Sequence, residues 1–392
     1  MKKILVICDY YLPSVNSGGG MWTVVNIVDR FSDRYEFFVL TRNYDSPGDT
    51  TPYTSVKTDM WNEMGNARVF YASNERLTTE SVAAIVNEVA PDCIFLNSVF
   101  GVPVVKFLNA RRRKAVGDIP VVISPTGNLA TGALAQKWLK KTLFLNIARI
   151  SGLYRGLIWK PSAELEAAEV RCVFGNGHTM MIAPDLTPRS ILPEYSFDQK
   201  LPKQSGSVRF IFLSRIVKKK NLGFLLDCLK EITEGNVIVD IVGPQEDTDY
   251  WNECRGKIEA LAANIIVNIV GSVTYLAGLD LLLEAHFFIL PTLNENFGYV
   301  FIESLAAGTP IVISDQTIWG SVEAENAGRV IPLDDKPRWI ETLKQCVEMD
   351  GPEYAKMAAA ARRYAEEWLA DTTLENATER VFTFALEQKQ DK

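Results

Sequence analysis

The strongest constraint on the fold is a repeated alternation of short apolar runs with longer segments of helical spacing. The runs are rich in Ile, Val and Phe, as in Ile4–Cys8 and Phe287–Leu290. Strands that alternate with helices in this way are typical of parallel sheets crossed by helices, so they predict the α/β class. The other predicted strands are Glu36–Leu40, Arg68–Tyr71, Cys93–Leu96, Pro120–Ser124, Arg171–Phe174, Arg209–Leu213, Val237–Val242, Ile265–Val270, Pro310–Ile313 and Arg329–Ile331.

The strands form two series, separated by a stretch that has four prolines between positions 184 and 202 and little periodic pattern. Such a stretch predicts a linker. We therefore predict two Rossmann-like domains facing each other across a cleft, with a ligand beside the carboxyl ends of the strands. The predicted limits are 1–184 for the N-terminal domain, 185–207 for the linker and 208–375 for the C-terminal domain. Residues 376–392 are predicted to form a helix that packs back on the N-terminal domain.

Composition excludes several classes of protein. The chain has 392 residues, of which 47% are hydrophobic and 23% charged, a profile of globular rather than disordered proteins. No apolar run reaches the ~18 residues of a membrane span. The run at Met1–Asp9 is too short for a signal peptide, so we expect a cytoplasmic protein. The six dispersed cysteines are expected to be reduced core residues, and the two histidines exclude a metal site built on several imidazoles.

A glycine-rich loop follows the first predicted strand. Gly18, Gly19 and Gly20 precede a helical stretch, and there the backbone N–H groups could meet an anion at the start of the helix. A flexible turn explains the same glycines equally well.

A second loop carries positive charge. Arg215 leaves the end of a strand, and Lys220 precedes a helix whose expected N-cap is Asn221. Two cations and the positive end of a helix dipole would then meet at one point that suits a diphosphate. The alternative is a solvated lysine run, which fits Lys218 and Lys219.

The third loop leads into an apolar helix that carries one acid. Glu295 lies on the loop, the chain turns at Gly298, and Glu303 lies within the helix. A buried carboxylate needs a partner, and the hydroxyl pair of a ribose would satisfy Glu303. A core Arg or Lys could do so as well.

These residues together resemble a known family. Glu295 and Glu303 resemble the E-x7-E signature of retaining GT-B glycosyltransferases, in particular family 4, also called glycosyl transferases group 1. Arg215 with Lys220 resembles the diphosphate-binding pair of that family, and Gly18 to Gly20 its N-terminal glycine loop. The likeness extends through 124–143 and 306–319, so it covers most of the chain.

The resemblance implies a role for each matching residue. Arg215 and Lys220 would hold the donor diphosphate and act in catalysis with Glu295, and Glu303 would bind the ribose. The remaining implied donor-binding residues are Gly19, Gly20, Asn296, Phe297 and Gly298. Neither a metal nor another cofactor is implied, because the two cations supply the positive charge. The resemblance also implies the GT-B fold.

One departure from the family concerns a histidine. Many relatives have a histidine near the transferred sugar, in a segment similar to Ser124–Asn128, where this chain has Thr126. Whether Thr126 or His178 takes its place stays open. His286 is expected to be a core or edge residue. The motif Asp247-Thr248-Asp249 resembles a metal-binding D-x-D, but a surface turn is the better interpretation.

The N-terminal half contains a basic band. Residues 105–160 have eleven Lys and Arg against one acid, in a chain whose net charge is −7. Aromatic and aliphatic residues alternate with these cations, a composition that suits a helix lying on an anionic membrane. The alternative is a basic rim around an ordinary core helix, serving an acidic soluble acceptor.

The sequence thus predicts a cytoplasmic glycosyltransferase, peripheral on the inner face of the membrane. It would transfer a hexosyl or N-acetylhexosaminyl group from a UDP or GDP sugar to a lipid-linked or oligosaccharide acceptor. Its expected role is in polysaccharide biosynthesis or lipid-linked glycan assembly. No binding of nucleic acid is expected. The alternatives are a sugar-nucleotide epimerase of the same fold and a non-catalytic protein that binds nucleotide sugars.

Overall fold

The structure is a computed structural model that describes residues 1–14, 17–46, 49, 51–135, 138–188 and 200–388. The chain divides into two compact units, one made of Met1–Arg189 with Asp371–Lys392 and the other of Ser190–Ala370. The predicted boundary at 375 lies inside the last helix, which begins at Thr372. Residues 189–199 of the predicted linker lie outside the described residues.

The first unit contains a sheet of eight strands in the order β3-β4-β2-β1-β5-β6-β7-β8. Neighbouring strands are parallel except for β3 and β4. The strands are β1 Lys2–Cys8, β2 Tyr35–Arg42, β3 Trp61–Met64, β4 Ala67–Ala72, β5 Cys93–Asn97, β6 Val121–Ser124, β7 Ile158–Trp159 and β8 Thr179–Met180. The helices are α1 Gly19–Phe31, α2 Thr79–Val89, α3 Val102–Arg112, α4 Thr131–Ala135, α5 Trp138–Ile150, α6 Glu164–Phe174 and, from the end of the chain, α13 Thr372–Glu387.

Both faces of this sheet are covered, because successive side chains of a strand point to opposite faces. Leu5 and Ile7 of β1 pack in a core with residues of α2, α3 and α5. Ile4 and Val6 pack in a second core with residues of α1 and α13. Strands buried on both faces read as continuous apolar runs, which is why β1 was recognisable in the sequence.

The second unit contains a parallel sheet of six strands in the order β11-β10-β9-β12-β13-β14. The strands are β9 Ser207–Leu213, β10 Asn236–Val242, β11 Ile265–Gly271, β12 Phe287–Leu290, β13 Ile311–Ser314 and β14 Gly328–Ile331. The helices are α7 Leu222–Leu229, α8 Thr248–Glu259, α9 Tyr275–Glu284, α10 Tyr299–Ala306, α11 Lys336–Glu348 and α12 Gly351–Ala370. The predicted α/β class with two Rossmann-like units is therefore confirmed.

Two local predictions were wrong. Arg171–Phe174 is the last turn of α6 rather than a strand. Ala167, Val170 and Phe174 recur at helical spacing, and a short apolar run does not separate the two alternatives by itself. Asp247 is also no simple turn residue, because its side chain accepts a hydrogen bond from the N–H of Tyr250 at 3.0 Å and caps α8.

Candidate functional site

The strand order fixes where a ligand can bind in the second unit. From β9 the chain proceeds to β10 and β11 on one side, and it then returns to β12 on the other side of β9. In open parallel sheets a crevice forms at such a point, beside the carboxyl ends of the two strands. The loops at this position are 214–221 after β9 and 291–298 after β12.

These two loops are joined by hydrogen bonds through one carbonyl. The Lys219 carbonyl accepts from the N–H of Leu293 at 2.9 Å and from the hydroxyl of Thr292 at 3.2 Å. The loop after β12 is also tied to the next loop along the sheet, because the N–H of Glu295 donates to the carbonyl of Gln316 at 3.0 Å. The position of Glu295 is therefore fixed from both sides.

Lys220 and Glu295 meet at the centre of this crevice. The Lys220 ammonium donates to the Glu295 carboxylate, and both side chains are almost buried. Burial alone would raise the pKa of Glu295, but Lys220 and Lys219 outweigh it and hold that pKa below its usual range. Glu295 is consequently an anion at neutral pH.

Arg215 lies nearby and is more exposed. Its guanidinium also contributes to lowering the pKa of Glu295, while its own ion pair is with Glu246 at 3.1 Å on the surface. Exposed pairs of this kind are weak, so the Arg215 side chain can turn toward a ligand at little cost.

The lysine run ends at Lys220, just before α7, as the sequence predicts. Lys218–Lys220 form a single 3-10 turn, in which Lys220 is buried and Lys218 is exposed. Asn221 is the N-cap residue of α7, but its backbone is left-handed and its side chain makes no cap hydrogen bond. The predicted cap is thus present by position and not by side-chain contact.

Glu303 lies on α10 and has no ion pair or hydrogen-bond partner among the described residues. Burial raises its pKa to about 7. The core Arg or Lys that could have paired with it is not found in the described part of the chain. A half-buried carboxyl group without a partner can accept hydrogen bonds from a ligand, and vicinal hydroxyl groups are suitable donors.

The loop before α10 has a conformation that only glycine permits. Gly298 has φ +73°, and an added Cβ would lie 2.5 Å from the Phe301 ring and 2.9 Å from Cγ of Glu295. The carbonyl of Phe297 accepts a hydrogen bond from the indole N–H of Trp319 at 2.5 Å, and the two rings pack edge to face. Asn296 lies between Glu295 and Phe297 on the same loop.

The first unit has the same kind of crevice between β1 and β5. Gly19 and Gly20 form the first turn of α1 beside it, and Gly18 precedes them with φ +74°. The side chain of Asn97 at the end of β5 donates to the carbonyl of Gly20 at 2.7 Å.

Sequence reasoning missed two polar residues of this first crevice, Asp9 and Arg42. The Arg42 guanidinium donates to the Asp9 carboxylate at 3.0 Å, and the N–H of Val102 donates to the same oxygen at 3.1 Å. Asp9 follows β1 and Arg42 ends β2. Their positions at the carboxyl ends of buried strands could have indicated a place in the crevice.

The segment that resembles the histidine-containing one of relatives is held in an unusual conformation. Thr126 and Gly127 both have positive φ, and the N–H of Gly127 donates to the buried carboxylate of Glu166 at 2.6 Å. His178 lies instead against the rings of Trp159 and Phe174.

The second histidine is in the core, as expected. The ring of His286 accepts a hydrogen bond from the N–H of Arg209 at 2.9 Å, and burial lowers its pKa to about 4. Within the described ranges, no group of three or more His, Cys, Asp or Glu side chains could hold a metal ion.

Sucrose-phosphate synthase from Thermosynechococcus elongatus has a similar structure, with a TM-score of 0.74 and 15% identity over 100% of both chains. The structure of Alr3699/HepE from Anabaena in complex with UDP and glucose has a TM-score of 0.70 and 16% identity, covering 98% of this chain and 100% of the other. The fold is GT-B.

The match to a known sequence family lies in the second unit. Residues 195–367 match the family model described as Glycosyl transferases group 1, a range that includes Arg215, Lys220, Glu295 and Glu303. A phosphatidyl-myo-inositol mannosyltransferase from Mycolicibacterium smegmatis is 29% identical over 167 residues, which cover 41% of each chain. The chain thus spans about two fifths of the length of this relative.

Proposed function

We propose that this protein is a family 4 glycosyltransferase that moves a hexosyl or N-acetylhexosaminyl group from a UDP or GDP sugar to an acceptor hydroxyl with retention of configuration. The observation that carries the proposal is the Lys220–Glu295 pair in the crevice between β9 and β12. Arg215 beside it supplies a second cation, and Glu303 on the adjoining helix lacks a partner among the described side chains. The match of residues 195–367 to the family model supports the same conclusion.

In this proposal Lys220 and Arg215 hold the donor diphosphate. An ammonium group has three N–H donors, so Lys220 can keep its bond to Glu295 and still donate to phosphate oxygens. Glu295 fixes the ammonium in place and accepts hydrogen bonds from the donor sugar. Asn296 and the Phe297–Gly298 backbone line the sugar on the same loop, and Glu303 accepts from the ribose hydroxyls.

The reaction breaks the bond between the anomeric carbon and the β-phosphate oxygen and forms a bond from that carbon to the acceptor oxygen. The acceptor proton passes to an oxygen of the leaving diphosphate, which removes the need for a protein base at Thr126. Negative charge grows on the diphosphate as the bond breaks. Lys220 is preorganised to stabilise this charge and Arg215 can turn toward it, which lowers the barrier without a metal ion.

A panel of donors tests this proposal. Thermal unfolding is measured with UDP, GDP, ADP and TDP sugars, since a ligand at 100 times its Kd stabilises a protein by about 2.7 kcal/mol. We expect a UDP or GDP sugar to raise the Tm and then to release its nucleoside diphosphate slowly in water.

Other results of this panel would indicate the alternative functions. An epimerase would isomerise the sugar of the intact donor without releasing the diphosphate. A non-catalytic binding protein would show the Tm shift and no turnover. The absence of a shift with every donor would contradict the assignment of the crevice.

The proposal extends to the acceptor and its location. A lipid-linked or oligosaccharide acceptor, in polysaccharide or lipid-linked glycan assembly, would place the protein peripherally on the inner face of the cytoplasmic membrane. The M. smegmatis relative is named for a phosphatidyl-myo-inositol substrate, which supports a lipid acceptor. No helix among the described residues combines the length and the apolar character that crossing a membrane requires.

The basic band of 105–160 is the proposed membrane-facing region, but some of its cations are not exposed at the surface. Lys160 is buried and lies 3.4 Å from the Asp185 carboxylate. Lys141 is half-buried and donates to the carbonyl of Ala133 at 2.5 Å. Lys137 lies outside the described residues. The exposed cations of the band are Arg112, Arg113, Lys114, Lys140, Arg149 and Arg155.

A further inference from the structure

Helix α5 is apolar on two opposite faces. Its inner face packs in the core through Leu145 and Ala148. Four other apolar side chains follow one another at intervals of four, four and three residues and therefore share one face. We call them the outer stripe: Leu139 (65% exposed), Leu143 (63%), Ile147 (56%) and Ile150 (89%).

The outer stripe is unusual for a surface helix. Such helices normally place polar side chains opposite the core, whereas the stripe lies on the side of α5 away from Leu145 and Ala148. A contiguous exposed apolar surface marks a site of association with a protein, a ligand or a membrane.

The exposed charges on α5 itself are all positive. Lys140 and Arg149 are exposed on α5, which contains no acidic residue. The turn after α5 is tied to the end of α3, because the Arg111 guanidinium donates to the carbonyl of Arg155 at 3.0 Å. This contact places the end of α3 beside the turn that follows α5.

We infer that α5 lies in the surface of an anionic lipid bilayer with the outer stripe inserted among the acyl chains. Lys140 and Arg149 would remain at the level of the headgroups, where cations attract anionic lipids. This inference rests on the proposed function, because it specifies how a transferase meets a lipid-linked acceptor. It also makes apolar insertion, rather than the basic band, the main source of membrane affinity.

A second copy of the chain is a poorer occupant of the same face. A symmetric dimer through the stripe would bring Lys140 and Arg149 of one copy toward the same cations of the other, and like charges repel. An anionic bilayer satisfies both the apolar stripe and the cations beside it.

The test measures binding of the full chain to vesicles of phosphatidylcholine with or without phosphatidylglycerol, by flotation at low and high salt. The variant Leu143→Asp/Ile147→Asp places charge in the stripe. Leu165→Asp/Leu276→Asp is the matched control, because those leucines are 60% and 63% exposed on other helices. Equal thermal unfolding of both variants and wild type excludes a folding defect.

We expect wild type to float with anionic vesicles and to keep part of its binding at high salt. The stripe variant should bind about ten-fold more weakly or worse, while the control variant should bind as wild type does.

Three results would overturn the inference: equal flotation of the stripe variant and wild type, complete loss of wild-type binding at high salt, or a lipid-free dimer that the stripe variant abolishes. Donor binding is measured separately without vesicles. Vesicle binding without any donor response would contradict the proposed function alone, and a donor response without vesicle binding would contradict the insertion of α5 alone.

Discussion

At the scale of single residues, Glu303 makes stability depend on pH. Its carboxyl pKa is raised by burial from 4.5 to about 7, so the folded protein binds more protons than the unfolded chain between these values. Stability attributable to this group is greatest below pH 4.5 and is lost as the pH rises toward 7. One pKa unit corresponds to about 1.4 kcal/mol, which puts the cost at pH 8 at about 3 kcal/mol or less.

We therefore expect Glu303→Gln to raise the Tm at pH 8 and to change it little at pH 4, because glutamine has no charge to bury. Thermal unfolding at the two pH values checks this. Glu259→Gln, at an exposed carboxyl group on α8, should show no such difference. A Glu303→Gln protein that is equally destabilised at both pH values would mean that the carboxyl group has a partner.

Lys220 gives the sharpest prediction about turnover. Lys220→Ala should lower kcat by roughly 100-fold or more, the scale seen when one preorganised donor to the transition state is removed. Lys218→Ala, two positions earlier and exposed, should leave kcat unchanged. The rate at which nucleoside diphosphate is released gives the kcat of both variants. Similar rates for the two variants would mean that Lys220 has no catalytic role.

The residues of the second crevice could be proposed from the sequence because their spacing is distinctive. Arg215, Lys220, Glu295 and Glu303 each follow a recognisable strand or lie in an apolar helix. The Lys220–Glu295 contact could not be predicted, since it depends on which strands are neighbours. Asp9 and Arg42 were missed for the same reason, because they are far apart in the sequence and β2 lies next to β1 only in the folded sheet.

At the scale of structural elements, the loop 315–319 supports the loop 295–298. Trp319 is fully buried, donates to the carbonyl of Phe297 and packs on its ring. Trp319→Phe keeps most of the packing and removes the N–H donor. We expect it to weaken donor binding by about ten-fold through a less ordered loop, since a lost buried hydrogen bond costs about 1 to 3 kcal/mol.

Trp339→Phe provides the matched control. Trp339 is also fully buried, and its indole N–H donates to the carbonyl of Pro332 at 3.1 Å, on another loop. Both variants should lose similar stability, but only Trp319→Phe should raise the Kd of the donor. Equal effects of the two variants on the Kd would mean that Trp319 contributes to stability only and does not order the donor-binding loop.

Strands with a clear apolar run were predictable, and the two shortest strands were not. β1, β9 and β10 consist mainly of apolar residues and were recognised from the sequence. β7 and β8 have only two residues each, too few to show any period. The register of these strands is set by backbone contacts with their neighbours, which the local sequence does not contain.

At the scale of the whole molecule, we expect sugar transfer to continue in EDTA. The crevice of the second unit supplies positive charge from Lys220 and Arg215, which takes the role that a divalent ion has in metal-dependent transferases. Turnover before and after treatment with EDTA, followed by addition of Mg²⁺ or Mn²⁺, checks the prediction. Activity that vanishes in EDTA and returns with either ion would contradict it.

The first unit is interrupted in the chain by the second, and this has a consequence during synthesis. Phe382 of α13 packs against the rings of Phe31, Tyr35 and Phe95, yet α13 leaves the ribosome only after all of Ser190–Ala370. At ~5–20 residues per second the delay is roughly 10 to 40 s. The nascent protein therefore exposes the apolar surface that α13 later covers while the second unit folds, and that surface can bind chaperones until α13 is synthesised.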